Sequence, residues 1–213
     1  MPQSTLARFA PLSGVLFVVI GVIAAIVSGE SPAADDSTEE VIEFWTENDN
    51  ENQFGAALAA LAAAFLVWFA GSLRVTLRGG EGEPGRLAAV AFAGFLTLAI
   101  GIAAFAGFAF AAADTAGDVP PEVTQTLSVL NSDFFFIVAM GTLVAFAATA
   151  VAILRHGALP RWLGYLAAVI AVVSITPAGF FAFLAGLIWI LIASVLMYQA
   201  GPPATAGPGS TRV

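Results

Sequence analysis

The sequence predicts an all-α, polytopic membrane helix bundle with about six transmembrane helices and short outer-surface helices. Hydrophobic residues make up 59% of its 213 residues and charged residues only 10%, whereas soluble domains carry about 25% charged residues. The mean hydropathy is +0.92. Six apolar segments each have about the 20 residues that a helix needs to cross a bilayer. The arginines lie at one end of these segments, and most of the acidic residues lie at the other.

Residues 1–199 form a single transmembrane domain in this prediction. Residues 200–213 are rich in Gly, Pro, Ala and Thr, and we expect them to form a disordered tail. Helix length in the hydrocarbon layer sets the limits of each span. The predicted spans are residues 11–28, 54–74, 87–113, 133–154, 159–176 and 179–199.

The first span also resembles a secretory signal peptide. Arg8 precedes an apolar run, and Ser31-Pro32-Ala33 offers small residues for a cleavage site. However, the run is longer than the apolar part of a usual signal peptide, and its charged region has one positive residue. We therefore expect a retained transmembrane helix, with cleavage as the alternative.

A short outer helix is predicted between the first two spans. Ser37 followed by Glu40 matches a capping box, in which the two side chains satisfy the first free N–H groups of a helix. One face of this helix is apolar and the other is acidic. The apolar residues are Val41, Ile42, Phe44 and Trp45, and the acidic residues are Glu39, Glu43 and Glu47.

A second outer helix is predicted after the third span. Asp118 and Pro120 are typical of a helix start, and one side of the helix then carries Val123, Leu127 and Leu130. Acidic surface helices are not attracted to anionic lipid. We therefore expect both outer helices to cap the outer mouth of the bundle.

Small residues recur along the third span. They let helices approach closely in lipid, and we expect them to serve packing inside the bundle, with a homodimer interface as the alternative. The stripe comprises Ala99, Ala103, Gly107 and Ala111 at four-residue spacing, with Gly94 and Gly101 nearby.

The stretch from Leu159 to Gln199 is too long for one crossing, and a turn is available within it. Pro177 lacks a backbone donor and disfavours helical geometry at Thr176, and Gly179 permits a reversal. We expect two helices joined by a tight hairpin. A single kinked helix is the alternative, because Pro is tolerated within transmembrane helices.

Charge placement predicts the orientation of the bundle. With the N-terminus in the cytoplasm, every cationic side chain lies on an inner segment: Arg8, Arg74, Arg78, Arg86, Arg155, Arg161 and Arg212. Of the acidic residues, only Glu81 and Glu83 are inner, and the outer ones are nine between Glu30 and Glu51 together with Asp114, Asp118, Glu122 and Asp133. Positive residues mark the cytoplasmic side. We predict a multi-pass protein of the cell membrane with both termini in the cytoplasm.

The residue inventory excludes several kinds of chemistry. The chain has no Cys, which removes thiol catalysis and thiolate metal sites, and no Lys, which removes a Schiff base. His156 is the sole histidine, and one His cannot form a metal site without other ligands. No ionisable residue lies near the middle of a predicted span, which argues against ion-coupled transport. We therefore predict no catalytic residue, no cofactor and no metal.

One candidate contact lies at the outer mouth. Asn131 and Asp133 precede a run of Phe residues at the start of the fourth span. The expected role is helix capping, with an Asn or Ser N-cap and a carboxylate in the first turn. The alternative is a contact to a cation or another ligand.

Aromatic and cationic residues mark the inner ends of the last two spans. They are Arg161, Trp162, Tyr165 and Tyr198. Such residues hold helix ends at the boundary between membrane and water. We expect them to anchor the helices at the cytoplasmic interface and to carry no chemistry.

Two further patterns lack the context that their chemistry requires. Residues 80–85 match G-x-G-x-x-G, but they follow a membrane helix and carry two carboxylates that would repel a pyrophosphate. Residues 48–52 alternate amides with acids but lack the Gly and distal Glu of an EF-hand loop. We expect residues 80–85 to form a flexible loop and residues 48–52 to form a solvated loop. Weak binding of a divalent ion is the alternative for residues 48–52.

Residues 159–164, Leu-Pro-Arg-Trp-Leu-Gly, resemble a motif found before the penultimate helices of several actinobacterial families of multi-pass integral membrane proteins. Those families are domains of unknown function. Residues 37–41 and 133–135 resemble segments of the same families. The resemblance implies a multi-helix membrane protein without an assigned activity, and it transfers no catalytic residue.

The sequence therefore favours a non-enzymatic integral membrane protein that is a structural, assembly or envelope-associated component. A small transport or permeability protein for a neutral or apolar solute is the alternative. The expected partners are the lipid bilayer and other membrane proteins or a second copy of the chain, and no nucleic acid. An enzyme within the membrane would need paired polar groups at one depth, and the spans offer none.

Overall fold

The computed structural model describes residues 8–29, 31–32, 36–133 and 135–201, and it confirms the all-α fold for them. The expected disordered tail lies outside the described residues from position 202 onward, as does Ala33 of the candidate cleavage site. The helices are α1 (Ser13–Ser28, after a 3-10 turn at Ala10–Leu12), α2 (Thr38–Glu47), α3 (Asp49–Glu81), α4 (Arg86–Thr115), α5 (Pro121–Asp133), α6 (Phe135–His156), α7 (Arg161–Val173) and α8 (Gly179–Ala200).

Six of these helices form a closed ring. In ring order, α1 packs against α3, α3 against α4, α4 against α6, α6 against α7 and α7 against α8, and α8 returns to α1. The shorter helices α2 and α5 contact each other and the ring at one end. The bundle therefore has a capped end, which carries α2 and α5, and an opposite end, where the described chain begins and finishes.

Five helical segments are long and apolar enough to cross a membrane. They are α1 with its 3-10 turn, α3, α4, α5 together with α6, and α8. The helix found in the predicted span 159–176 is shorter than that span. This helix, α7, has only 13 residues and covers about 20 Å at 1.5 Å per residue. The predicted span was too long because apolar residues continue into the turn that follows α7.

The reversal between α7 and α8 occurs where the sequence predicts it. α7 ends at Val173 and α8 begins at Gly179, so the expected hairpin is confirmed. The hydroxyls of Ser174 and Thr176 donate to the carbonyl oxygens of Ala171 and Val173, each at 2.8 Å. These bonds satisfy polar groups that are costly to expose to lipid.

The two ends of the described chain lie at the same end of the bundle. The ring centroids of Phe9 and Tyr198 are 5.7 Å apart. At the capped end, Phe135 at the start of α6 packs against Phe183 near the start of α8, with centroids 6.4 Å apart. The chain between Phe9 and Tyr198 therefore runs back to the end from which it started.

α3 extends well beyond its predicted span of 54–74. It has 33 residues and is about 50 Å long. The solvated loop expected at 48–52 is wrong, because Asn52 is buried and α3 already begins at Asp49. The Asn52 side-chain amide donates to the Asn48 carbonyl oxygen at 2.9 Å. Asn48 alone separates the end of α2 from the start of α3.

Two glycines let α4 and α6 approach closely. A Cβ atom at Gly94 would lie 2.6 Å from the Cα of Ala145, and one at Gly141 would lie 2.7 Å from the Cα of Leu98. Real Cβ atoms do not come this close to backbone. Both positions therefore require Gly for this helix pair to form.

The small-residue stripe of the third span does not all face inward. Ala99 is buried, but Ala103 and Gly107 are exposed, and a Cβ atom at Gly107 would meet nothing within 4 Å. The expectation of internal packing for the whole stripe is therefore wrong. A four-residue spacing drifts around an α-helix by about 40° per step, so the stripe leaves the edge that Gly94 presents to α6.

Candidate functional site

Aromatic side chains from four ring helices form a row of contacts inside the bundle, called the aromatic column below. Phe69 of α3, Phe95 of α4, Phe146 of α6 and Trp189 of α8 are buried, and successive ring centroids are 5.6, 5.5 and 5.2 Å apart. The Trp189 Nε1–H donates to the Leu163 carbonyl oxygen of α7 at 2.9 Å. Edge-to-face and tilted aromatic pairs of this kind are favourable beyond their buried area. Five ring helices thus meet in one aromatic column.

The capped end confirms the capping box. The backbone N–H and hydroxyl of Ser37 donate to Glu40 Oε2 at 3.0 and 2.8 Å, and the Glu40 N–H donates to Ser37 Oγ at 3.3 Å. The bonds from the Ser37 backbone N–H and then from its hydroxyl lower the pKa of Glu40, because they stabilise the charged carboxylate. Local chemistry therefore fixes where α2 begins.

The apolar face of α2 holds the cap on the bundle. Val41 and Trp45 are buried against Ala112 and Ala113 at the end of α4, as the predicted apolar face requires. The acidic side chains lie at exposed positions on the other face; they are Glu39, Glu43 and Glu47. The cap therefore presents a carboxylate-bearing surface at the end of the bundle.

α5 turns a different face inward from the one predicted. Val123 and Leu130 are exposed, whereas Thr124 and Asn131 are buried. Asn131 holds this orientation, because its side-chain amide donates to the Phe105 carbonyl oxygen of α4 at 2.9 Å. The polar face of α5 thus packs inward, and part of its apolar face points outward.

Asn131 does not cap the start of α6 as expected, because it lies within α5 and its side-chain amide donates to the Phe105 carbonyl oxygen. Asp133 is the last residue of α5, and its side chain lies outside the described residues. Its expected capping role and a ligand contact at this mouth therefore stay predictions. Nearby, the Trp45 Nε1–H and the Thr124 hydroxyl are buried without a hydrogen-bond partner among the described residues. An unmade hydrogen bond of this kind costs about 1–3 kcal/mol.

At the opposite end, Glu81 closes the turn between α3 and α4. Its carboxylate oxygens accept hydrogen bonds from the N–H groups of Leu87 at 2.9 Å and Ala88 at 3.0 Å. This places negative charge at the positive end of the α4 dipole. Arg78 also pairs with Glu83, so the Gly-rich segment expected to be flexible is tied down. The sequence does not predict this cap, because Glu81 bonds to N–H groups six and seven residues later, outside the three-residue spacing of a capping box.

The predicted interface anchors are exposed where anchoring requires it. Arg161, Trp162 and Tyr165 lie on the first turns of α7 with exposed side chains, and their anchoring role stays a prediction. Tyr198 differs, because its ring is partly buried and the guanidinium carbon of Arg8 lies 5.6 Å from the ring centroid. Tyr198 therefore joins the start of the described chain to the end of α8.

A groove open to the outside of the bundle lies beside this contact between Arg8 and Tyr198. It runs between the segment before α1, α3, the first turns of α4 and the end of α8, and its volume is about 550 Å³. Ligand pockets commonly have volumes of roughly 300–1,000 Å³. The large apolar side chains in its wall are Val67, Trp68, Val75, Phe92 and Met197.

Two arginines border this groove. Arg8 lines it directly. Arg74 lies beside it, because the Arg74 guanidinium carbon is 5.5 Å from the ring centroid of Phe92, which lines the groove. Neither guanidinium forms an ion pair in the part of the chain that the structure describes. The sequence places both arginines at inner helix ends. It does not reveal the groove, because the segment that carries Arg8 meets the wall of α3 only through tertiary packing.

Comparison with known proteins identifies no family. No family model matches the chain, and no curated protein or solved structure matches it. The resemblance of residues 159–164 to actinobacterial membrane families therefore stays a prediction. Within the described ranges, no group of three His, Asp or Glu residues is arranged to hold a metal ion.

Proposed function

We propose that this chain is a non-enzymatic membrane protein with a structural, assembly or envelope-associated role. Its five long apolar segments indicate insertion into a bilayer. The packed interior carries the proposal, because Phe95, Phe146 and Trp189 are buried inside the ring of helices, with Phe146 in contact with both of the others. A packed bundle with an ordered cap suits a protein that holds a partner in place.

A permeability role has less support from the interior of the bundle. The cavity beside Phe146 and Leu187 has a volume of about 10 Å³, which is the space of a single water molecule at most. Passage of a neutral solute would require the aromatic column to separate. Transport therefore remains the alternative, and a flux measurement distinguishes it from a scaffold role.

The scaffold role predicts a partner that contacts the cap. Crosslinking in native membranes and pull-down of the full chain should recover a membrane protein as the main crosslinked partner. Recovery should fall several-fold in the triple variant Glu39→Gln, Glu43→Gln and Glu47→Gln, because these carboxylates are exposed on α2. The control Glu83→Gln removes a carboxylate from the opposite end and should leave recovery unchanged.

Two results would contradict this proposal, the first its scaffold role and the second its contact surface on α2. Vesicles containing the purified protein should swell in isotonic glycerol at the rate of protein-free vesicles, and clearly faster swelling would support permeability instead. Equal recovery of the partner by the triple variant and by the wild-type chain would show that the acidic face of α2 is not the contact surface.

We also propose that the protein lies in the cell membrane, with the end that bears Arg8, Arg74 and Arg155 facing the cytoplasm. The bias of Arg toward this end supports the orientation. A fluorescent protein fused after Val213 should fluoresce, and a phosphatase that is active only outside the cytoplasm should be inactive at the same site. An active phosphatase would reverse the proposed orientation.

A further inference from the structure

We propose that the groove between the segment before α1 and helices α3, α4 and α8 binds one anionic phospholipid. In this arrangement an acyl chain lies along the apolar wall and the phosphate group lies at Arg8, with Arg74, over the Phe92 ring, as the second positive charge at the edge of the groove. The inference does not depend on which end of the bundle faces the cytoplasm, because phosphate groups occur at both surfaces of a bilayer.

The wall of the groove matches an acyl chain. Trp68 is 70% exposed and Val75 is 56% exposed, so both present large apolar surfaces to the outside of the bundle. The hydroxyls in the wall are already engaged: Ser72 donates to the Trp68 carbonyl oxygen at 3.2 Å, and Thr76 donates to Met197 Sδ at 3.3 Å. A ligand along this wall therefore meets mainly apolar contact.

The charged border of the groove matches a phosphate. The guanidinium groups of Arg8 and Arg74 lie over the rings of Tyr198 and Phe92, which restrains them without neutralising them. Arginine donates paired hydrogen bonds to phosphate oxygens. Within the described residues, no Asp or Glu lines the groove. The site thus favours an anionic head group, and it offers no carboxylate to the cationic part of a zwitterionic one.

Other occupants fit the groove less well. Residues 202–213 follow Gly201, which lines the groove, but Val213 is their only large apolar side chain. They cannot supply the continuous apolar surface that the wall would cover. A free phosphate ion would meet the arginines and leave the wall of Trp68 and Val75 unused.

The test measures lipid retained by the purified full chain. Native mass spectrometry in a neutral detergent, after addition of equal amounts of phosphatidylglycerol and phosphatidylcholine, should show one retained phosphatidylglycerol. The double variant Arg8→Gln and Arg74→Gln should lower that retention at least tenfold. Its control, Arg86→Gln with Arg155→Gln, removes two positive charges of the same end that neither line the groove nor lie over a ring of its wall, and it should retain the lipid.

A second pair of variants tests whether the apolar wall binds the lipid, and its control detects a loss of lipid that is caused by misfolding. Gly71 lines the groove, and a Cβ atom there would meet nothing within 4 Å. Gly71→Leu should therefore fill the groove without disturbing the bundle and lower lipid retention at least tenfold. Gly107 is equally open but lies outside the groove, so Gly107→Leu should retain the lipid.

Four outcomes would overturn the proposal. Equal retention of phosphatidylcholine would show that charge is not recognised. Displacement of the lipid by inorganic phosphate at the same concentration would identify a phosphate site without an acyl component. Retention by Gly71→Leu equal to that of Gly107→Leu would exclude the groove wall. Retention that develops only after removal of residues 2–7 or 202–213 would identify the chain's own terminus as the occupant.

Discussion

Gly94→Ala should destabilise the bundle by about 2 kcal/mol or more. The added Cβ would lie 2.6 Å from the Cα of Ala145, so α4 and α6 must separate, and overpacking of this kind typically costs about 1–3 kcal/mol. The loss outweighs the gain of up to about 1 kcal/mol from the higher helix propensity of Ala. At roughly 2–4 °C per kcal/mol for a chain of this size, we expect a fall in Tm of about 4 °C or more in detergent.

The matched control is the same Gly→Ala substitution on another face of α4. Gly107 lies on the same helix, and a Cβ atom there meets nothing within 4 Å. Gly107→Ala should leave Tm unchanged or raise it by a few degrees, because only helix propensity changes. Opposite shifts for Gly94→Ala and Gly107→Ala identify the α4–α6 contact as the cause. Equal shifts would mean that the close approach of the two helices is not present in the folded protein.

Trp189→Ala should cost about 3–5 kcal/mol of stability. Truncating a buried aromatic side chain loses its packing and leaves a cavity, and here the ring also contacts Phe146 and bonds to Leu163. Trp189→Phe keeps an aromatic ring but removes the Nε1–H donor, so we expect a smaller loss. Thermal unfolding in detergent, followed by circular dichroism, measures both changes.

The control for Trp189 is another tryptophan at the outside of the bundle. Trp162 is 52% exposed, and Trp162→Ala should change stability by less than about 1 kcal/mol, since surface substitutions usually have small effects. If Trp162→Ala and Trp189→Ala lowered Tm equally, the aromatic column would not be the centre of the folded bundle. The packed interior on which the proposed scaffold role rests would then lose its basis.

Local features of this protein were predictable from the sequence. The capping box of Ser37 and Glu40 depends on residues three apart, and it forms as predicted. The hairpin at Pro177 likewise follows from backbone chemistry within a few residues. Apolar length located the ring helices, although the polar ends of α3 continue the helix beyond its apolar part.

The faces that the helices turn to one another were not predictable in the same way. Phe95 is buried in the aromatic column, whereas Phe136 is 76% exposed, and no difference in residue type separates them. In lipid, both the inner and the outer face of a helix can be apolar, so the pattern of apolar residues does not mark the inside. The buried polar face of α5 shows the same limit, since Asn131 turns inward to reach Phe105 of α4.

The sequence by itself determined the helical class, the positions of most helices and the separation of arginines from carboxylates. These properties depend on composition and on neighbours within a few residues. Only the tertiary structure decided which helices adjoin, which glycines face a neighbouring backbone and where Arg8 and Arg74 border a common groove. Those outcomes depend on pairs of residues far apart in the chain, and they are fixed when close packing selects one arrangement among helices of similar composition.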